Sequence, residues 1–135
     1  MATYNSWEVA SPHIYGNASI PPKPLGIFWD IENCNVPNGK SAMAVCDKIR
    51  KQQFCEGHQE IFFTVVCDAT KEPTAVLEEL DKAQVDIIHV SPNKKNAADE
   101  KLKQLMRRFS DLHRDGSRIV LICGNVDFAA EIADF

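Results

Sequence analysis

The sequence predicts an α/β fold: a doubly wound parallel sheet of about four strands in the order 3-2-1-4, with helices on both faces. Three observations point there. After Pro24, short β-rich apolar runs alternate with longer stretches of helical spacing. The first of those runs, Leu25–Trp29, lacks any polar alternation, which suits a strand buried on both faces of a parallel sheet. Right-handed crossovers between successive parallel strands make that order the simplest one.

Residues 1–23 (MATYNSWEVASPHIYGNASIPPK) are polar, Pro-containing and without period, so they read as a flexible tail or linker, with Trp7 or Tyr15 available to dock on the domain. Residues 24–135 read as the domain. Its first strand, Leu25–Trp29, runs into Asp30. Ser41–Gln53 places Ala42, Val45, Cys46 and Ile49 at helical spacing, with Ser41 as the N-cap. Ile61–Cys67 is a second strand that ends on Asp68. Pro73–Lys82 opens with a proline suited to a first helical turn and carries Val76, Leu77 and Leu80. Ile87–Val90 is a third strand. Ala97–His113 is the longest helix, with an apolar stripe of Ala98, Leu102, Leu105, Phe109 and Leu112. Ile119–Cys123 is a fourth strand, and Val126–Phe135 reads as the opening of another helix. Because the chain stops inside a helical pattern, the expectation is a C-terminally truncated domain that lacks a terminal strand.

Composition narrows the function. The 135 residues make one domain. No apolar run approaches membrane-spanning length, and no basic start followed by an apolar stretch marks a secretory signal. The Asn17-Ala18-Ser19 sequon therefore carries no weight. Five cysteines without a C-x-x-C pair indicate neither a disulfide framework nor zinc, for which Cys55 and His58 are too few ligands. The expected compartment is reducing. A net charge of −4 argues against a protein that coats nucleic acid non-specifically, and leaves room for a local basic patch.

The chemistry gathers at one rim. In such sheets ligands bind beyond the carboxyl ends of the strands, where strand order reverses. Strand one ends on Asp30, strand two on Asp68, and strand four on Gly124-Asn125-Val126-Asp127; the helix after strand three begins Asn96-Ala97-Ala98-Asp99. Asp68 alone reads equally as a turn former, and Asn96 with Asp99 as a capping box. Asp30 is harder to assign to capping, since IENCNVP forms no obvious helix. Together the acids would repel and raise one another's pKa unless a cation neutralised them. Magnesium and manganese favour oxygen donors, keep several waters and need few protein carboxylates beside a substrate phosphate. The cluster is thus suited to metal-assisted phosphodiester cleavage. Residues 94–108 (KKNAADEKLKQLMRR) carry six basic residues against two acidic. The later ones suit a solvated helix face. Lys94 and Lys95 sit in the loop feeding Asp99 and suit phosphate contacts. No G-x-G-x-x-G, Walker, G-x-S-x-G or H-E-x-x-H motif is present. No His or basic residue is placed in the sequence to activate Cys34 as a nucleophile, and His89 falls inside a strand, where a structural role is expected.

The stretches FWDIENCNVP, VVCD, KNAADEKL and LICGNVDFA together resemble the NYN domain, a branch of the PIN-like nucleases, over about residues 24–135; the nearest branch is the limkain-type family of meiosis and mRNA-stability factors. The resemblance implies a magnesium- or manganese-dependent endoribonuclease acting on single-stranded RNA. It implies Asp30, Asp68 and Asp99 as metal-binding and catalytic positions, with Asn33 orienting the phosphate or water; Lys94 and Lys95 of the basic loop, with Lys101 after them, are expected on the RNA. It further implies RNA-binding modules of a larger protein or decay-complex proteins as partners, no membrane, and transcript silencing in meiosis and oogenesis. The expected place is the cytoplasm, in RNA granules or associated with peroxisomes. One departure stands out: the fourth acid of the family pattern is Asn125 here, with Asp127 two residues on as the available substitute. That departure motivates an alternative, a catalytically weakened RNA-binding or protein-interaction module.

Overall fold

β1 (Lys23–Asp30) is the centre of the sheet, and its sequence explains why. Ile27 and Trp29 point to one face and Phe28 to the other, and all three are buried. A strand with no polar side must be covered on both sides. The computed structural model describes residues 21–94 and 96–124; residues 1–20 of the tail expected over 1–23, and the helix expected from Val126, lie outside them. β2 (His58–Cys67) and β4 (Arg118–Ile122) flank β1, and β3 (Asp86–His89) lies beyond β2, all parallel, in the expected order β3-β2-β1-β4.

Two helices cover one face. α1 (Ala42–Gln53) begins where the Ser41 hydroxyl accepts the Ala44 N–H at 3.0 Å, an N-cap worth about 1 kcal/mol. It buries Ala42, Val45, Cys46 and Ile49, the residues of the expected stripe. Beside it α2 (Thr74–Lys82) buries Leu80. Both pack on Ile27, Trp29, Val65 and Ile122. Among the described residues α3 (Ala97–Leu112) alone covers the opposite face, through Ala98, Leu102 and Phe109 against Phe28 and Val66. The Phe109 ring meets Phe28 edge-on at 5.8 Å. Gly26 makes room for it: a Cβ there would come within 3.0 Å of the Phe109 ring.

The strands differ from expectation at their starts. Lys23, read as tail, is the first residue of β1 and donates its N–H to the Gly57 carbonyl at 2.7 Å. Pro24 is tolerated there because pairing with β4 begins only at Leu25. β2 begins three residues before the apolar run, since pairing to β1 recruits the polar His58, Gln59 and Glu60. The register shifts between Leu25 and Gly26, leaving Ile61 unmatched. That bulge leaves Ile61 and Phe62 both exposed.

Candidate functional site

At the carboxyl end of β1 the chain turns at once. The Cys34 N–H donates to the Asp30 carbonyl at 3.0 Å, and the Trp29 indole N–H donates to the Cys34 carbonyl at 2.8 Å. Ile31, 1% exposed, fixes the turn to the core. Trp29 is therefore both core and anchor for the loop that carries the polar groups. Within that loop the Asn33 carboxamide donates to Asp30 Oδ2 at 2.8 Å and the Asn33 N–H approaches Oδ1 at 3.4 Å. Asp30 is 4% exposed, so these two donors hold a nearly buried carboxylate in one orientation. Gly124, after β4, lies against the same loop: a Cβ there would sit 2.0 Å from the Asn33 carbonyl oxygen. Only glycine allows that approach.

Asp99 comes to this loop from the first turn of α3. Its carboxylate pairs with Lys103 at 3.1 Å and is largely exposed. Asp30, Asn33, Asn96, Asp99, Lys103 and Gly124 line one cavity of about 340 Å³. Asn96 stands in the left-handed region (φ 70°), which Asn tolerates better than most residues, and its side chain makes no capping bond to α3. The capping box that the sequence allowed is therefore not formed by Asn96, and Asn96 faces the cavity instead.

Asp68 is placed differently. Its Oδ1 accepts the Thr70 hydroxyl at 2.6 Å and the Thr70 N–H at 3.0 Å, while its own N–H donates to the Glu32 carboxylate. Those bonds turn it into a second cavity of about 160 Å³, shared with Glu32, Lys71, Lys94 and Asn96. The three acids expected at one point are thus divided between two adjoining cavities with Asn96 lining both. Among the described residues no three His, Cys, Asp or Glu side chains come together in a way that could hold a metal ion. The Thr70 hydroxyl, foremost, holds the Asp68 carboxyl below the usual range, against the effect of burial; the Thr70 N–H, Lys71 and His89 add to it. Asp68 Oδ2 is buried and has no hydrogen-bond partner among the described residues. Nearby, burial foremost and then the charges of Glu32 and Asp68 push the Glu72 carboxyl up.

His89, assigned a structural role, accepts the Ala69 N–H at Nδ1, 3.0 Å away, and stands 3.8 Å from Asp68 Oδ1. Lys94 lines the Asp68 cavity and, with Lys101, a further one of about 210 Å³. Lys95, Asn125 and Asp127 lie outside the described residues. Sequence reasoning missed Glu32, Thr70, Lys71 and Lys103 at this rim. Lys103 had a signal, four residues after Asp99 on a helix. Glu32 had only its place two residues after Asp30. Cys46 and Cys67 are unsuited to nucleophilic work: burial pushes each thiol up to about 11. No helix among the described residues is long and apolar enough to cross a membrane.

Comparison with known proteins identifies the family. The family model of the NYN domain matches residues 24–134. The chain is 46% identical over 131 residues to meiosis regulator and mRNA stability factor 1 of Gallus gallus, covering 97% of this chain and 7% of that protein. The Xenopus tropicalis protein of the same name is 45% identical over 131 residues, 97% of this chain and 8% of its own length. The Mus musculus protein is 47% identical over 111 residues, 82% of this chain and 6% of its own length. The chain thus spans less than a tenth of the length of these relatives.

Proposed function

The chain belongs to the NYN-domain family, and from that premise we propose that it is a magnesium- or manganese-dependent endoribonuclease that cleaves single-stranded RNA. The observation that supports this reading most is the cavity shared by Asp30, Asn33 and Asp99, whose two carboxylates stand far apart in sequence. The donor set suits a hard cation. It consists of carboxylate and carboxamide oxygens, and magnesium asks for only one or two carboxylates while keeping several waters. The buried Asp68 Oδ2 next door has no hydrogen-bond donor among the described residues.

Asp30 and Asp99 would hold the ion, and Asp68, across Asn96, would add charge through water rather than a third direct bond. A bound ion would polarise the scissile phosphate and lower the pKa of an attacking water. The protein's own residues do the remaining work. Asn33 fixes the Asp30 carboxylate and orients the phosphate or water. Lys103, paired with Asp99 in this structure, is free to turn to phosphate once a cation takes its place. Lys94, Lys95 and Lys101 contact the RNA backbone. Asn125 supplies a neutral oxygen where the family pattern has an acid, with Asp127 as its substitute. In the larger protein the domain would act beside RNA-binding modules or decay factors, in transcript decay or silencing in germ cells. Its place there would be the cytoplasm, in RNA granules or associated with peroxisomes.

A second reading rests on Asn125 and on the division of the acids between two cavities: a binding module with weakened catalysis. Incubation of labelled single-stranded RNA with the chain separates the two. The nuclease reading expects cleavage that needs magnesium or manganese and falls at least about 100-fold in Asp30→Asn. RNA that is bound but left intact under all metals favours the binding module.

A further inference from the structure

α3 leaves an open groove along β3. Two cavities lie in line there. The first, about 210 Å³, has His89 of β3 on one side and Lys94, Lys101 and Gln104 on the other. The second, about 320 Å³, lies further along α3 and is built from Phe28, Phe62, Ile88 and Phe109, with Asp86 and Arg108 as its charged members. Lys101, Gln104, Leu105, Arg108 and Leu112 fall on one helical stripe, so the groove is continuous along the helix. It starts at the active rim, since Lys94 lines both the Asp68 cavity and the first groove cavity.

The far cavity is apolar and aromatic, yet open. Phe62 is 40% exposed and Leu112 66% exposed. The bulge beside Gly26 explains the exposure of Phe62. Two helix cations flank the way to it: Lys101 and Arg108 are about 10 Å apart along the helix at 1.5 Å per residue. The acids facing the groove are Glu100 beside Lys101 and Asp86 in the far cavity. Asp86 disfavours a phosphate in the cavity and favours a base, whose amino group could donate to it.

We infer that single-stranded RNA leaves the acidic rim along this groove, with phosphates on Lys94, Lys101 and Arg108 and one base seated in the Phe62–Phe109 cavity. The charge pattern carries the choice of occupant: a row of cations ending in an aromatic cavity matches a chain of phosphates bearing stackable bases. The inference rests on the proposal that the rim acts on single-stranded RNA.

The test measures binding without cleavage, using the Asp30→Asn chain in EDTA and a labelled single-stranded RNA, with a set of oligonucleotides each carrying one abasic site. One abasic position is expected to weaken binding roughly tenfold. Phe62→Ala is expected to weaken the intact RNA by a similar factor and to become indifferent to that abasic site. The pair Lys101→Ala with Arg108→Ala, neither of which is buried, is expected to reduce the salt slope by about 1.4 for two single-strand contacts. RNA binding that ignores the abasic scan and the Phe62 change, or keeps its salt slope in the Lys101/Arg108 pair, overturns the inference and leaves the cavity to a protein partner. Because no step depends on cleavage, a chain that passes this test and cleaves nothing with metal would sink the nuclease reading alone.

Discussion

Asp30 was legible at the residue scale because a buried apolar strand running into a carboxylate conflicts with local chemistry unless the carboxylate has work to do. Asp68 was legible as a polar strand end, but its orientation was not. Its direction is set by Thr70, two residues on, and by Glu32, far off in sequence, and nothing local reports that second contact. Thr70 carries a prediction. The lowered Asp68 pKa means the folded state favours the ionised form, so it adds stability above the unfolded value of about 3.9. That contribution is lost as pH falls through the lower folded value. Thr70→Val removes the foremost cause, the hydroxyl bond. The variant should be less stable than the parent in urea at pH 7, and the gap should close well below pH 3.9. A gap that persists in strong acid would mean that Thr70 acts through packing and not through Asp68.

Elements were easier to find than their ends. The 3.6-residue stripe of Ala98, Leu102, Leu105, Phe109 and Leu112 announced α3, which buries Ala98, Leu102 and Phe109 but leaves Leu112, at its end, 66% exposed. The start of β1 at Lys23 was hidden, because Lys-Pro carries no apolar signal and owes its strand geometry to pairing with β2. The bulge at Ile61 was equally hidden: IFFTVVC reads as an uninterrupted run. Among the described residues α3 alone covers its face, and Phe109 is where that docking is concentrated, with edge-on contacts to Phe28 and Phe62 at 5.8 Å each. Phe109→Ala should cost about 3–5 kcal/mol, read as a lower urea midpoint. It should also loosen Asp99, which α3 carries, so RNA cleavage should fall even under conditions where the variant remains folded. Full activity in the folded variant would show that α3 positions Asp99 without Phe109.

For the whole molecule, strand order followed from handedness and could be read from the alternation of elements alone. The meeting of Asp30 and Asp99 followed from the same topology, since both stand on the carboxyl rim. The partition between two cavities did not, because it depends on how Asn96 and Glu32 sit between strand ends. The central claim is that Asp30 and Asp99 hold one divalent cation between them. Manganese binding to the RNA-free chain, followed through the free-ion electron paramagnetic resonance signal, tests it most directly. If the two carboxylates share one ion, Asp30→Asn and Asp99→Asn should each weaken the same site by about tenfold or more, and the double variant should lose no further site. If either substitution leaves manganese bound at the parent's affinity, or if the two abolish separate sites, the shared-cation account is contradicted.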